Sequence, residues 1–205
     1  KDDTFNFLDS LKKFNCETWF NLGDRDLATH IYRTVLLKQG LTLSDTTVKI
    51  TQMLGLQTMV LPMTDDKFET HIVTPDGTIH FEEYLVKRGA KDTVIGVEFS
   101  GASNAKPTDR VLRAIYDAEL LVVCPSNPVV SISTILSVNG LRDALRQSTA
   151  RKIAISPIIN GSPVKGPADK LMKGWGLEVS AFSVANLYAD FIDVFVIDSL
   201  DAAEK

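Results

Sequence analysis

Twice in succession the chain passes from a short apolar strand into a proline-stiffened polar loop and on towards a helix. This repeat restricts the fold more than any other feature of the sequence. Leu120 to Cys124 is an unbroken apolar run with β-branched members, which predicts a strand buried on both faces of a parallel sheet. It stops at Pro125-Ser126-Asn127-Pro128, where two prolines fix φ and remove two backbone donors. A helix over 141–147 then leads to a second buried strand, Lys152-Ile-Ala-Ile155, ending in Ser156-Pro157. Right-handed β-α-β crossovers set both loops on the same carboxyl edge of one sheet, where open α/β sheets bind ligands. Ordinary turn chemistry accounts for either loop alone. Two on one edge point to a phosphate-bearing ligand.

The second loop, Asn160-Gly-Ser-Pro-Val-Lys-Gly-Pro167, carries the richer chemistry. Gly161 and Gly166 allow close backbone approach to a ligand. Lys165 adds a positive charge, and a helix predicted from about Ala168 to Lys173 would direct free N–H groups outward. A further helix over 184–191 and a strand over 194–197 close the pattern. Upstream, Pro75-Asp-Gly77 is a strong turn signal between strands predicted over 69–74 and 78–86. Strands are also expected over 57–63, ended by Pro62, and over 94–99, with a helix from near Pro107 to about Ala118. The expected fold class is therefore α/β: Rossmann-like, with a largely parallel sheet, an inserted β-hairpin region and added helices. Residues 1–56 form a helical segment, and 57–205 the sheet of the same domain.

In the helical segment, Phe5, Leu8 and Leu11 give a modest apolar stripe over about 4–14, with Thr4 as a candidate cap. Gly23 breaks the next pattern and Asp24 can cap the helix that follows, whose predicted inner face is Leu27, Ile31, Val35 and Leu36. A third helix has Ser44 or Asp45 as cap, Val48, Leu54 and Met53 facing inward, and Gly55 at its end. The first turn of the second helix carries Asp24, Arg25 and Asp26, with His30 a turn further on. Capping and the helix dipole account for either aspartate. Arg25 is less easily explained, because a cation at a helix N-terminus needs an anion nearby, which a neighbouring aspartate or a ligand could supply.

Charge and composition narrow the function. The 205 residues carry a net charge of −4, whereas nucleic-acid binding by general electrostatics needs an excess of Lys and Arg. No apolar run approaches the roughly 20 residues needed to span a bilayer, so no membrane partner is expected. The start Lys-Asp-Asp-Thr has no signal-peptide hydrophobic core behind it. Cys16 and Cys124 lie far apart and form no disulfide or zinc spacing, which favours a reducing cytoplasm. Cys124 reads as a small buried hydrophobe before it reads as a nucleophile. His71 and His80 fall in neighbouring strands without a carboxylate-rich metal pattern.

With these residues assembled, the chain resembles the 2-phospho-L-lactate transferase family, which acts in biosynthesis of the deazaflavin coenzyme F-420. The resemblance rests on Leu22-Gly-Asp-Arg-Asp-Leu-Ala-Thr-His30 and Leu61-Pro-Met-Thr-Asp-Asp66, then on Pro125-Ser-Asn-Pro128 and Ser156-Pro-Ile158. It continues through Ser162-Pro-Val-Lys-Gly-Pro-Ala168 and ends at Tyr188-Ala-Asp-Phe-Ile-Asp-Val-Phe-Val196. It implies transfer of a phospholactyl or phosphoenolpyruvyl group from a guanosine-diphosphate-activated donor (lactate or enolpyruvate) to a deazaflavin acceptor. GMP is released, and magnesium assists. By the same resemblance, Arg25 and its neighbouring aspartates match the segment that touches the deazaflavin. The loops of Ser126–Pro128 and 162–167 match the nucleotide side. The family's opening strand with its glycine-rich phosphate loop, an aspartate-bearing segment that supplies a metal ligand, and its C-terminal helical tail have no counterpart here. The 205 residues are accordingly expected to be inactive alone, with metal ligands unassigned.

The implied roles are specific. Asp24 or Asp26 orients the ribityl hydroxyl or the metal, Arg25 neutralises developing charge, and Lys165 with Gly166 and the backbone of its loop holds phosphate. His30, Ser126, Asn127, Pro128 and Ser156 complete the substrate-binding candidates. The main alternative is a non-catalytic, nucleotide-sugar-binding regulatory protein of the same fold; a scaffold domain without a ligand is a third. The donor's identity and the oligomeric state stay open, a homodimer among the options.

Overall fold

The structure is a computed structural model that describes residues 3–204; Lys1, Asp2 and Lys205 lie outside the described residues, as does the side chain of Glu204. Three helices come first: α1 (Asn6–Lys13), α2 (Asp24–Lys38) and α3 (Leu43–Met53). The hairpin follows as β1 (Glu69–Thr74) and β2 (Gly77–His80), joined by β3 (Gly96–Ser100) into an antiparallel sheet of order β2-β1-β3. Helix α4 (Asp109–Tyr116) leads into β4 (Leu120–Val123). A π-helical segment (Pro128–Ser133) then runs directly into α5 (Thr134–Leu136) and is followed by α6 (Leu141–Gln147). Next come β5 (Arg151–Ile155), a two-residue hairpin of β6 (Ile158–Ile159) and β7 (Ser162–Pro163), α7 (Ala168–Gly174), α8 (Ala181–Tyr188) and β8 (Val194–Val196). A 3-10 helix (Ser199–Glu204) ends the described chain.

Strands β4, β5 and β8 form a parallel sheet in that order, with Leu121 opposite Lys152 and Ala154 opposite Phe195. This is the expected Rossmann-like α/β arrangement with a hairpin region. Ile72 of β1, Ala154 of β5, Val129, Leu171, Met172, Val184 and Tyr188 share one buried cluster. The antiparallel sheet thus packs on the same core as the parallel one, and α7 contacts both β3 and the Pro128–Ser133 segment.

Several expectations are corrected. Strand β4 is not buried on both faces: Leu120 is 52% and Val122 50% exposed. The period-2 rule places these two, with Ile153 of β5 and Val194 and Val196 of β8, on one face of the sheet. That face has little cover, whereas the face bearing Val123, Ala154 and Phe195 is packed. Cys124 is exposed as well, not the buried hydrophobe its apolar neighbours suggested. Residues 57–63 form no strand but an irregular, largely exposed segment, because no neighbouring strand offers them a ladder. The second hairpin strand stops at His80, and Glu83–Lys87 turns into a π-helix. In α2 only part of the expected inner face is covered: Leu36 is buried and Leu27 half-buried, while Ile31 and Val35 are exposed. Helix α3 buries Ser44, Thr46 and Ile50 and leaves Met53 and Leu54 exposed, and its cap is Thr42, whose side chain accepts from the Asp45 amide.

Removing a buried side chain from the shared core tests its weight. Leu171 is fully buried, so Leu171→Ala is expected to lower unfolding free energy by about 2–5 kcal/mol in urea titrations. The open sheet face makes a second prediction: the native protein binds a hydrophobic dye such as ANS, and Val122→Lys sharply reduces that binding without lowering stability comparably.

Candidate functional site

The parallel register of β4 and β5 brings the two proline-bounded loops together. Pro125, Ser126 and Asn127 from the first and Pro157, Lys165, Gly166 and Pro167 from the second line one cavity of about 610 Å³. Phe81 and Leu85, from the end of the hairpin region, close a third side, and Val130, Ser131 and Val164 complete the wall with Ala168. None of these last six residues was singled out from the sequence except Ala168, as a helix start.

Both π-helical segments border this cavity, Glu83–Lys87 through Leu85 and Pro128–Ser133 through Val130 and Ser131. Such turns are rare and concentrate at functional sites. In the second, the Ile132 amide donates to the Asn127 carbonyl at 3.0 Å, and the Ser133 hydroxyl donates to the Pro128 carbonyl at 2.7 Å. The Asn127 side-chain oxygen accepts from the Val129 and Val130 amides at 3.0 and 3.2 Å. Asn127 therefore caps the helix that it precedes, and its NH2 group is the donor it can offer a ligand.

The second loop is shaped by an Asn160-Gly161 pair with φ of 49° and 69°, the left-handed geometry of a tight two-residue hairpin turn. That dipeptide is the signal that could have revealed β6 and β7. The hairpin is fastened by the Asn160 amide donating to Asp201 at 2.7 Å. Ser156 faces inward instead: it is buried, donates to the Ile158 carbonyl at 2.8 Å and accepts from the Ile158 amide at 3.1 Å. Pro128 is also fully buried, behind the cavity wall.

The Gly-Asp-Arg-Asp segment lies elsewhere. Asp24, Arg25, Asp26 and His30 sit on α2 and do not line the two-loop cavity. Nor do they line the smaller cleft of about 310 Å³ between the first two helices, which is walled by Phe7, Leu11, Trp19, Phe20 and, from α2, Leu27. Here α1 and α2 cap each other. Asp24 is the first residue of α2, not its cap, and its carboxylate accepts from the Asn6 and Phe7 amides of α1, both at 3.1 Å, and from the Thr4 hydroxyl at 2.6 Å. Asp3 in return accepts from the Arg25 amide at 3.0 Å. Two positive helix ends meet around two carboxylates, which is the anionic surrounding that Arg25 requires. Gly23 permits this contact, since a Cβ there would fall 2.1 Å from the Asp3 carboxylate. The side chains of Arg25, Asp26 and His30 are exposed, with His30 Nδ1 3.4 Å from Arg33.

Among the described residues, no three His, Cys, Asp or Glu side chains are grouped to hold a metal ion. The two-loop cavity presents no carboxylate. These residues therefore do not by themselves build a magnesium site. No helix of the described residues is long and apolar enough to cross a membrane.

Fold and cavity together define a Rossmann-like α/β protein with a cleft at the carboxyl end of its parallel strands. The sequence profile of the 2-phospho-L-lactate transferase CofD matches residues 2–205, and the chain belongs to that family. It is 40% identical over 205 residues to a 2-phospho-L-lactate transferase of Methanosarcina mazei, covering 100% of this chain and 67% of the relative. It is 42% identical over 207 residues to a phosphoenolpyruvate transferase of Streptomyces griseus, covering 98% and 65%. The chain thus spans about two thirds of the length of these relatives. The crystal structure of BH3568, a UPF0052-family protein of Bacillus halodurans, superposes with a TM-score of 0.60 at 19% identity, over 86% of this chain and 53% of that one. That likeness concerns the fold alone.

The reciprocal caps make a pH prediction. Hydrogen bonds from Thr4 and Phe7 hold the Asp24 carboxyl below its ordinary value. A lowered folded pKa means that the contribution is complete at neutral pH and is lost as pH falls through and below the aspartate range near about 3.9. Amide exchange at Asn6 and Phe7 should accelerate only in that acidic range in the native protein, but already at neutral pH in Asp24→Ala.

Proposed function

We propose that the full-length protein transfers a phospholactyl or phosphoenolpyruvyl group from a guanosine-diphosphate-activated donor to a deazaflavin acceptor in coenzyme F-420 biosynthesis. The observation that carries this reading is membership of the CofD family across residues 2–205. The two names borne by its relatives leave both donors in play. A hydroxyl of the acceptor attacks the phosphorus that bears the acid. A new P–O bond forms, the bridging P–O bond breaks with its electrons leaving on GMP, and the hydroxyl proton passes to a base. Such a transfer depends on positioning and on neutralising charge more than on covalent chemistry from the protein.

In this reading the two-loop cavity receives the nucleotide side, with Lys165 the cation beside it. The α2 start receives the acceptor, through Arg25 and His30. Asp26 suits the hydroxyl-orienting role better than Asp24, whose carboxylate already holds four donors from α1 and its approach. Magnesium, implied by the resemblance, belongs to this proposal as a property of the full-length enzyme, with ligands that the described residues do not supply. A cytoplasmic location accords with two free cysteines.

Mass spectrometry of the product formed by the full-length protein, offered each donor in turn, identifies the group transferred. In the same assay Arg25→Ala is expected to raise the KM for the deazaflavin about tenfold, the loss of one charge-assisted hydrogen bond. Unchanged KM and kcat would remove Arg25 from the site.

A further inference from the structure

We propose that a second, basic cavity binds a small phosphate-bearing anion, at a site separate from the two-loop cavity and independent of the transferase reading. It measures about 360 Å³ and lies between residues 91–94 and the later part of α7, which bring Lys91, Lys170 and Lys173 to one opening. No described residue lines both this cavity and the two-loop cavity. Helix α7 starts in the wall of the two-loop cavity with Ala168, and Gly174 of the basic cavity lies about 9 Å further along it.

Each lysine alone has a local explanation. The end of α7 favours a cation at Lys173, and Lys170 donates to the Ala90 carbonyl at 2.7 Å. Together they do not. Lys170 and Lys173 are neighbours on one helix face, where like charges repel, and Lys91 adds a third ammonium to the same cavity. Lys91 and Lys173 have no hydrogen-bond or ion-pair partner among the described residues. The one carboxylate in the lining does not offset them: Asp92 accepts from Arg88 through Oδ1 at 3.3 Å, and its Oδ2 is buried. A phosphate does, because it concentrates its negative charge on one centre and offers oxygens to several ammonium donors. Lys170 keeps its remaining N–H groups for such a ligand, and the exposed Thr93 hydroxyl is a further donor. Gly174 fixes the floor. A Cβ there would fall 2.5 Å from the Val94 carbonyl oxygen, so loop and helix backbone meet directly.

Inorganic phosphate is the probe, titrated into the native protein at constant ionic strength and read by amide exchange over residues 89–94 and 170–174. Exchange there should slow saturably with phosphate and not with chloride. Removing two ammoniums, in Lys91→Ala/Lys173→Ala, should raise the phosphate midpoint at least about tenfold. Lys91→Arg/Lys173→Arg keeps the charge and should hold the midpoint within about threefold. Lys165→Ala should leave it unchanged, because that lysine lines the other cavity. Succinate, whose two charges are set apart, should bind more weakly than phosphate. A midpoint unchanged in the double alanine variant, or equal protection by chloride, overturns the proposal. Loss of protection in Lys165→Ala would put the phosphate in the two-loop cavity and overturn it as well. A lower midpoint for succinate than for phosphate overturns the phosphate assignment. Absence of turnover with this protection intact would sink the transferase reading alone.

Discussion

Parallel pairing of β4 with β5 underlies the candidate site. Over Leu120–Val123 and Arg151–Ala154 the two strands run in step, so their carboxyl ends come to the same edge and the loops that leave them must converge. Neither loop forms a cleft alone, since one supplies a capped helix start and the other a tight hairpin with a lysine. The register itself is held from below: Lys152 is buried, its ammonium donates to the Ser148 and Ala150 carbonyls, and its amide donates to Asp193 at 2.7 Å. A slip of one residue would turn Val123 and Ala154 out of the core and separate the two loops.

The segments that carry the family resemblance divide into walls and fasteners. The proline loops are walls. Leu61-Pro-Met-Thr-Asp-Asp66 is a fastener: Asp65 accepts from the Ser44 amide at 2.6 Å, while Thr64 and Asp66 bind the backbone of Lys106. The last motif is another, since Tyr188 is buried and Asp190 accepts from Arg142, which also reaches the Leu187 carbonyl. Burial raises the Tyr188 hydroxyl's pKa, and the Arg142 guanidinium lowers that of the Asp190 carboxyl, so both groups keep one protonation state at neutral pH and serve structure. Asp24 belongs with the fasteners, and the adjacent Arg25 and Asp26 do not.

Some of this was legible in the sequence for a plain reason: apolar runs, prolines and glycines act locally. The helix over 141–147, the hairpin turn at Pro75-Asp-Gly77 and the strands after Glu119 and Ala150 lie where their residues place them. The misreadings share a cause. The segment 57–63 has strand composition but no partner, and the stripe Leu27, Ile31, Val35, Leu36 has helical spacing but leaves Ile31 and Val35 exposed. Periodicity states which face is apolar, and cannot state what lies opposite it.

What the sequence by itself determined is the α/β class, the repeated strand and proline loop, and the family. These depend on short-range conformational preferences and on the order of motifs along the chain. Only the tertiary structure decided that Phe81, Leu85 and Val130 share a cavity with Lys165, that Asp24 caps a helix eighteen residues before it, and that one face of the parallel sheet stands open. Each of these turns on residues distant in the chain, whose meeting is set by packing and strand register and leaves no trace in local composition.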